Sequence, residues 1–369
     1  IEPVSLQDFM RFLLDWQHLS PVTRLQGPAA LSEVLGQLEG YAAAAGAWES
    51  DLLPSRIKDY SPRWLDESCR AGKHVWARLA PNTASSTLRS TPMVLLPRQH
   101  LNLWRTLGPA LDSSELSPRA LRVHTALREQ GALFFDELVS EAHLLPSELE
   151  NALQELVAAG LASADSFAGL RALITPASKR QGRSHRRGRG ALFGGMADAG
   201  RWALLRNAQA SDQRDDSLEH IARTLLRRYG VICWRLLERE ADWLPSWREL
   251  LRCYHRLEAR GEIRGGRFIS GLAGEQFALP EAVALLREVR RRPANASLVA
   301  ISASDPLNLV GTLLPGNKVP ALSGNRLLYR DGLPVATLIA SKVHYLLEVE
   351  AAQQGELRDH LIREAGRQT

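Results

Sequence analysis

The segment from Asp215 to Pro280 combines two helical stripes with a basic ribbon, and this combination strongly restricts the fold. Apolar side chains recur every three or four residues along its last helix, at Trp247, Leu250, Leu251, Tyr254 and Leu257. This spacing predicts one buried helix face. Arginines recur every fourth residue at positions 248, 252 and 256, so they line a second face of the same helix.

A short basic ribbon follows this helix. Gly261 predicts the helix end, and the next residues predict two strands near a Gly265-Gly266 break. A helix-turn-helix followed by a basic ribbon is typical of winged-helix modules that contact nucleic acid. The predicted phosphate contacts are Arg248, Arg252, Arg256, Arg264 and Arg267. A solvated basic face without a partner is the alternative.

The strongest charge feature is the stretch 179–189. Six of its eleven residues are basic and none is acidic: Lys179, Arg180, Arg183, Arg186, Arg187 and Arg189. A flexible linker with this composition needs no further function. A tether that moves along phosphates would instead add sequence-independent and salt-sensitive affinity. The sequence leaves both interpretations open.

Composition sets loose limits on partners and location. The net charge of +5 and the pI of about 9.3 fit an anionic partner without requiring one. Three cysteines without a CxxC pair argue against a zinc site and fit a reducing, cytoplasmic location. No apolar run is long enough to span a membrane, so we expect no membrane partner. The chain opens with Ile-Glu-Pro, and we interpret it as part of a longer protein.

The periodicities predict a mainly helical α+β chain, with tandem winged-helix modules followed by a small β-barrel. A loose repeat supports the tandem arrangement, because Pro146-Ser147 echoes Pro245-Ser246 at an offset of about 100 residues. The predicted divisions are a winged-helix-like module (1–80), a second winged-helix region (81–175), a basic linker (176–200), the basic winged helix (201–292), the barrel (293–350) and a tail helix (351–369).

The second winged-helix region differs in charge from the basic one. The outer face of its third helix carries no arginine; its polar residues are Glu148, Asn151, Gln154 and Glu155. Phosphate contacts need cations, so we predict that this helix packs against protein, or else faces solvent. Two short apolar pieces between Leu161 and Ile174 predict its ribbon.

The barrel prediction depends on five candidate strands, over 298–303, 312–314, 325–330, 333–340 and 343–349. Asp331-Gly332 between two of them is a strong hairpin signal. A charged amphipathic helix over 353–367 follows them.

Familiar catalytic motifs are missing. The sequence contains no P-loop, GxSxG, HExxH or dinucleotide fingerprint, which favours a binding or assembly unit. One candidate catalytic pair is Asp305, which could activate a water, with Asn308, which could orient a base. An Asp-Pro turn in which Asp305 caps backbone amides is the alternative. Glu275-Gln276 is a weaker candidate for the same role.

Several segments together resemble the C-terminal region of the large helicase-related (Lhr) family of bacterial superfamily 2 helicases. They are residues 9–17 (FMRFLLDWQ), 155–167 (ELVAAGLASADSF), 200–205 (GRWALL), 266–280 (GRFISGLAGEQFALP) and 305–311 (DPLNLVG). The resemblance implies tandem winged helices that end in a β-barrel, a fold related to AlkZ-type DNA glycosylases, and a role in oligomer assembly. It also implies a parent protein with an ATP-dependent motor that uses ATP and Mg, acts on DNA and takes part in DNA repair.

The resemblance has limits that the residues define. The motor motifs are missing from this sequence, so we expect no cofactor in this chain. AlkZ-type enzymes carry a Gln-x-Gln pair that this sequence lacks, so base excision would need other residues, such as Asp305. The leading hypothesis is a non-motor helicase module that binds DNA and supports a homo-oligomer, with motor domains in the same polypeptide. The alternatives are a base-excision glycosylase and a purely structural oligomerisation unit.

Overall fold

The computed structural model describes residues 2–80, 87–175, 195–205 and 213–366. Its α-helices are α1 (Leu6–Trp16), α2 (Ala29–Gln37), α3 (Leu53–Arg56), α4 (Pro62–Arg70), α5 (Leu101–Leu107), α6 (Pro118–Gln130), α7 (Phe135–Ala142), α8 (Pro146–Ala158), α9 (Phe167–Ile174), α10 (Arg214–Tyr229), α11 (Trp247–Ala259), α12 (Pro280–Arg291) and α13 (Ala351–Gly366).

The strands are short. They are β1 (Leu25–Gln26), β2 (Ala43–Ala44), β3 (Ile57–Lys58), β4 (His74–Ala77), β5 (Pro92–Pro97), β6 (Leu133–Phe134), β7 (Ala162–Ala164), β8 (Arg201–Leu204), β9 (Val231–Ile232), β10 (Arg264–Gly266), β11 (Gln276–Ala278), β12 (Leu298–Ser302), β13 (Arg326–Arg330), β14 (Leu333–Ile339) and β15 (Lys342–Tyr345). The chain divides into two compact units, one of residues 1–37, 47–60 and 215–369 and the other of residues 38–46 and 61–214.

The first unit contains the predicted basic winged helix. Helix α10 leads through β9 and a 3-10 helix (Trp234–Arg239) to α11, and the β10–β11 ribbon follows. The three strands form one sheet in the order β10-β11-β9. The arrangement of helices, sheet and ribbon is that of a winged helix, in which the 3-10 helix takes the place of the second α-helix. The predicted order of helix, turn, helix and ribbon is therefore confirmed.

Helix α1 fastens the start of the chain to this module. Ser5 caps α1 by accepting a hydrogen bond from the Asp8 backbone N–H at 3.0 Å. Trp16 Nε1 and Gln17 Nε2 donate to the carbonyls of Arg227 and Arg228, both at 2.9 Å, at the end of α10. Because these bonds join segments far apart in sequence, the α10 end has a fixed support.

The second unit contains a similar module built from α6, α7 and α8. Its sheet order is β6-β8-β7, which matches the order β9-β11-β10 of the basic module. The ribbon predicted over 161–174 is wrong in its second half, because residues from Phe167 to Ile174 form α9. The strand that pairs with β7 is β8, which follows the basic stretch 179–189 in the sequence. Residues 201–204 therefore belong to this sheet, whereas the sequence placed them at the start of the basic winged helix. The strands β4 and β5 also pair in this unit, antiparallel from His74↔Pro97 to Ala77↔Val94.

Residues 298–345 form a four-stranded antiparallel sheet in the order β12-β13-β14-β15. The Asp331-Gly332 hairpin is confirmed, and both residues have positive φ, 47° and 80°, as a type I′ turn requires. The predicted strand over 312–314 is a turn with a single bridge between Val310 and Leu314. The pairings among the described residues leave β12 and β15 as open edges, whereas the sequence predicted a barrel.

Helix α13 packs on this sheet. Leu357 and Leu361 are fully buried in one core with Leu328, Val335 and Ala336. The predicted tail helix therefore forms part of the sheet's core. No described helix is long and apolar enough to cross a membrane.

Candidate nucleic-acid interface

Helix α11 begins with a strong local signal. Ser246 is its N-cap, and its hydroxyl accepts from the Glu249 backbone N–H while Glu249 Oε2 accepts from the Ser246 N–H at 3.0 Å. This reciprocal capping box satisfies two donors that a helix start would otherwise leave unpaired. Gly261, just beyond the helix, has φ of 76°, a conformation that favours glycine. The sequence therefore fixes both ends of α11.

The predicted apolar face of α11 is buried. Leu250, Tyr254 and Leu257 are fully buried together with Cys253, whereas Trp247 and Leu251 at the margin are only partly covered. The Tyr254 ring stacks on Phe277 of β11 at 5.3 Å between centroids, and its hydroxyl donates to the Ala222 carbonyl at 3.2 Å. Burial raises the pKa of Tyr254 well above its usual value of 10.0. These contacts fix the rotation of α11 against α10 and β11.

The opposite face of α11 presents the three arginines. Arg248, Arg252 and Arg256 are all exposed. None of them makes an ion pair with a described residue, and Arg256 has only a contact of its Nη2 with Cys253 Sγ at 3.2 Å. At a rise of about 1.5 Å per residue, the three Cα atoms span roughly 12 Å along the helix. The stripe is therefore an exposed row of cations without acidic partners in the described structure.

Two other arginines of the same module, Arg223 and Arg260, differ from the stripe because carboxylates neutralise their charge. Arg223 contacts Glu262 at 2.5 Å and Glu219 at 2.9 Å, and Arg260 contacts Glu219 at 2.9 Å. The hydrogen bond from Arg223 holds the pKa of Glu262 below its usual value. The module thus separates a neutralised patch, around Arg223 and Arg260, from the stripe, whose arginines have no acidic partner among the described residues.

The ribbon adds cations beside the stripe. Arg264 and Arg267 are exposed, and neither pairs with an acidic group among the described residues. Glu258 on α11 accepts a hydrogen bond from the Gly265 backbone N–H at 2.9 Å. His255 on the same helix contacts Glu275, next to β11, at 3.1 Å. Both contacts tie the ribbon to α11, so the two groups of arginines keep a fixed spacing.

Gln276 is a structural residue within this ribbon. It is fully buried, and its Oε1 accepts from the N–H groups of Phe268 and Ile269 at 2.9 and 2.8 Å. Its Nε2 donates to the Ile269 carbonyl at 3.1 Å. Glu275 beside it is exposed and paired with His255. A structural role therefore accounts for the polar pair that the sequence proposed as a weaker catalytic candidate.

Asp305 and Asn308 lie in the loop after β12, away from solvent. Asp305 is 1% exposed and makes two contacts with Arg56, at 2.7 and 3.1 Å. Its Oδ1 also accepts from the Leu307 N–H at 2.9 Å, as in the Asp-Pro turn that is the alternative interpretation of this loop. Asn308 donates to the carbonyls of Ala303 and Val319 at 2.9 and 2.8 Å. Their catalytic role stays a prediction, and these contacts favour the turn.

The acidic helix α8 uses its polar side chains inside its own module. Glu155 accepts from the backbone N–H and the hydroxyl of Ser117, at 2.5 and 2.6 Å, and so caps α6. Glu148 pairs with Arg119 at 2.9 Å, and Gln154 donates to the Leu173 carbonyl of α9 at 3.1 Å. Asn151 is exposed. Three of the four polar residues thus make contacts within the second unit. The predicted packing of this module against protein stays a prediction.

Two further sets of residues bear on the site. The basic candidates Lys179, Arg180, Arg183, Arg186, Arg187 and Arg189 lie outside the described residues. Cys69, Cys233 and Cys253 are buried, and burial raises the pKa of Cys233 to about 11. Glu258, which holds the Gly265 N–H, was not among the predicted site residues; its place near the end of a helix, directly before a glycine-rich ribbon, is the signal that could have indicated it.

Comparisons with known proteins agree with this geometry. Residues 211–298 match the fourth winged-helix domain of the large helicase-related protein, and residues 4–98 match the third. The "Lhr helicase/uracil glycosylase" of Escherichia coli (strain K12) is 29% identical over 358 residues, which cover 86% of this chain and 23% of that protein. The "Lhr helicase/ probable uracil glycosylase" of Mycolicibacterium smegmatis is 28% identical over 366 residues, covering 87% and 23%. The chain thus spans less than a quarter of either relative.

Proposed function

We propose that this chain, which belongs to the large helicase-related family, binds DNA through the α11 stripe and the β10–β11 ribbon. The observation that carries the proposal is the contrast between two sets of arginines in one module. Arg223 and Arg260 are neutralised by glutamates, whereas Arg248 and Arg252 are exposed without an acidic partner among the described residues. Uncompensated cations on an exposed helix face support phosphate contact.

The geometry supports a duplex as the first substrate to test. A winged helix places its recognition helix in the major groove, which is about 12 Å wide, and its ribbon near the adjacent backbone. Because Glu258 holds Gly265, the cations of the ribbon stay beside those of α11. Phosphate contacts alone carry no sequence information, so we expect similar affinity for different sequences.

A salt series with a triple variant tests this proposal. The Arg248→Ala, Arg252→Ala, Arg256→Ala protein should bind duplex and single-stranded oligonucleotides more weakly. The magnitude of the slope of log K against log salt should fall by about 2 to 3 if all three arginines contact phosphates, since each contact contributes about 0.7 to 0.9. Fluorescence anisotropy at four or more salt concentrations gives both quantities.

The second winged helix supplies a matched control with the same loss of charge. Arg119, Arg122 and Arg128 lie on α6, where Arg119 pairs with Glu148 at 2.9 Å and Arg128 lies 3.8 Å from Glu129. The triple alanine variant at these positions should bind DNA like the wild type. If both triple variants weaken binding equally, only net charge matters, and the assignment to α11 fails.

We propose the remaining context from the family alone. The chain would be a non-motor part of a polypeptide whose ATP- and Mg-dependent motor moves on DNA. It would act in DNA repair in the cytoplasm and help to assemble a homo-oligomer. A mass measurement on the purified chain, with and without residues 297–349, tests the assembly role. If the chain is a monomer with and without these residues, the proposed assembly role is wrong.

Base excision is a second candidate, because the Escherichia coli relative is named a uracil glycosylase and the Mycolicibacterium smegmatis relative is named a probable one. The reaction would hydrolyse the bond between deoxyribose C1′ and uracil N1: the oxygen of a water bonds to C1′, uracil leaves and takes a proton on N1, and an abasic strand remains. A time course on uracil-containing oligonucleotides, followed by alkaline cleavage, tests it. Asp305→Asn should abolish release at a temperature where the variant remains folded, if Asp305 activates the water.

A further inference from the structure

The basic winged helix leaves one large aromatic side chain open to solvent. Trp234, the first residue of the 3-10 helix, is 40% exposed, whereas the neighbouring Cys233 and Leu236 are buried. Tryptophan is highly buried on average, because its ring is the largest apolar group among the side chains. A single exposed apolar residue is nevertheless ordinary, so the contacts that hold the ring and the charges around it decide its role.

The ribbon loop holds the Trp234 ring in place. Its Nε1 donates to the Ala273 carbonyl at 3.2 Å, so the polar edge of the indole is already satisfied within the protein. Gly274 approaches the same edge, because a Cβ at this position would lie 3.4 Å from Trp234 Cδ1. The exposed part of the ring therefore needs no polar partner. Because the ring is already held, a ligand that stacks on it loses little affinity to ordering the side chain.

Arg235 places a cation beside the ring. Its Cζ lies 5.5 Å from the Trp234 ring centroid, which is a cation–π distance. Its Nη1 donates to the Thr312 carbonyl at 3.3 Å, and it makes no ion pair with an acidic group among the described residues. A ring beside an uncompensated guanidinium favours a ligand that combines a flat aromatic group with negative charge, as a nucleotide does.

The ribbon also connects the ring to the arginine stripe. Glu275, the residue after Gly274, contacts His255 of α11 at 3.1 Å. His255 follows Arg252 by three residues and Arg248 by seven, so these three side chains lie along one face of α11. Trp234 therefore lies on the ribbon side of the stripe, within the same module.

We propose that Trp234 is a stacking platform for an unpaired base of single-stranded DNA, whose phosphates contact the α11 stripe. This inference rests on the proposed DNA contact and adds the state of the strand that the module takes. Bases inside a duplex are already stacked on their neighbours, whereas an unpaired base offers a free π face whatever its identity. A protein partner is less well matched, because the exposed arginines beside the ring suit a regularly charged backbone.

A cycle of two proteins and two oligonucleotides tests the stacking. The probes are a labelled oligothymidine and a strand of equal length in which every nucleotide is an abasic spacer, and fluorescence anisotropy gives each Kd. Trp234→Ala should bind the oligothymidine at least about fivefold more weakly, the smallest loss usual for removal of one stacked base. It should bind the abasic strand like the wild type, because that strand has phosphates but no bases. Trp234→Phe should recover part of the affinity for oligothymidine, since phenylalanine keeps a ring but loses the bond to Ala273.

Phe134 supplies the matched control, because it is an aromatic residue of the second unit that is 50% exposed. Phe134→Ala should leave both Kd values unchanged. The slope of log K against log salt should be the same in wild type and Trp234→Ala, because stacking on a base releases no counterion, whereas the α11 triple variant should change this slope. Equal unfolding temperatures would show that the variants are folded.

Three results would overturn the stacking role. If Trp234→Ala weakens binding of both probes equally, the ring supports the fold or the phosphate contacts and not a base. If it weakens neither, the ring does not touch the strand. If only an RNA probe responds, the assignment to DNA is wrong. Failure of the proposed α11 contact looks different: the α11 triple variant would then keep the wild-type salt slope while Trp234→Ala still separates the two probes.

Discussion

Arg56 and Asp305 form a two-contact ion pair that is closed to solvent, with Nη1–Oδ2 at 2.7 Å and Nη2–Oδ1 at 3.1 Å. Arg56 is 0% exposed and Asp305 is 1% exposed. The same guanidinium donates to Gln17 Oε1 at 2.7 Å. The pair therefore connects the end of α1, the end of α3 and the loop after β12, three segments that are distant in sequence.

Breaking this pair should destabilise the protein strongly. Asp305→Ala leaves the Arg56 cation buried without its carboxylate, so we expect a loss of about 3 to 5 kcal/mol in the free energy of unfolding. The double variant Arg56→Met, Asp305→Leu removes both charges and should be closer to wild type than Asp305→Ala. Urea unfolding of the wild type, Arg56→Met, Asp305→Leu and the double variant measures the coupling energy of the pair. A loss below about 1 kcal/mol in Asp305→Ala would contradict the buried pair.

The hydrogen bond between Glu258 and the Gly265 N–H should affect DNA affinity more than it affects the free energy of unfolding. A Cβ at Gly265 would lie 2.5 Å from Glu258 Oε1, so Gly265→Ala must displace the carboxylate that holds the ribbon. The displaced atom is the end of a flexible side chain, so the free energy of unfolding should change by less than about 1 kcal/mol. DNA affinity should nevertheless fall severalfold, because the ribbon arginines lose their fixed position relative to α11. Anisotropy with duplex DNA measures this effect.

Gly261 provides the complementary control. Its φ of 76° is unfavourable for alanine, yet a Cβ there would meet nothing within 4 Å. Gly261→Ala should therefore cost about 1 kcal/mol of stability while DNA affinity stays near wild type. If Gly265→Ala binds DNA like the wild type and Gly261→Ala does not, the assigned role of the Glu258 contact is wrong.

Gln276 should control the order of the ribbon loop. Gln276→Leu leaves the buried N–H groups of Phe268 and Ile269 without their acceptor, which costs about 1 to 3 kcal/mol for each group. We expect faster amide hydrogen exchange at residues 268 and 269, with little change in α10. Exchange that is equally slow in the variant would show that another group accepts these bonds. Uniformly faster exchange would indicate global unfolding instead.

The sequence predicted the local features of the candidate site well. The buried and basic faces of α11 follow from a helical period within thirteen residues, and the capping box and Gly261 define its ends. The hairpin at Asp331-Gly332 was equally local, because only a few residue types accept positive φ at both positions. The exposure of Arg248 and Arg252 follows directly once the buried face is known.

Long-range pairing explains what the sequence did not reveal. Asp305 looked like a catalytic candidate because it stands in a polar loop, and its partner Arg56 is 249 residues away. The apolar run from Phe167 to Ile174 is compatible with helix or strand, and the true partner of β7 lies beyond the basic stretch. Strand number and spacing also cannot decide whether a sheet closes, because closure depends on a contact between its first and last strands.

Acid should destabilise the second unit through His74. This residue is 5% exposed on β4, with its Nδ1 at 2.7 Å from Ser68 Oγ. Burial lowers its pKa below 6.5 despite the opposing charge of Glu39, and Lys73 lowers it further. His74 has its usual pKa of about 6.5 in the unfolded chain and a lower pKa in the folded chain, so between these values the unfolded chain binds more protons. The free energy of unfolding is therefore undiminished above about pH 6.5, and it falls as the pH decreases from there to the lower pKa.

A His74→Gln variant should show less of this loss. The substitution can lower stability by a constant amount at every pH, because it changes the contact with Ser68. The difference in unfolding temperature between pH 7.5 and pH 5 should nevertheless be smaller than in the wild type, since glutamine does not titrate. His124→Gln is the matched control: burial and then Arg128 also lower the pKa of His124, but this side chain is only partly covered, so its effect should be weaker. An equal pH response in wild type and His74→Gln would place the acid sensitivity at other groups.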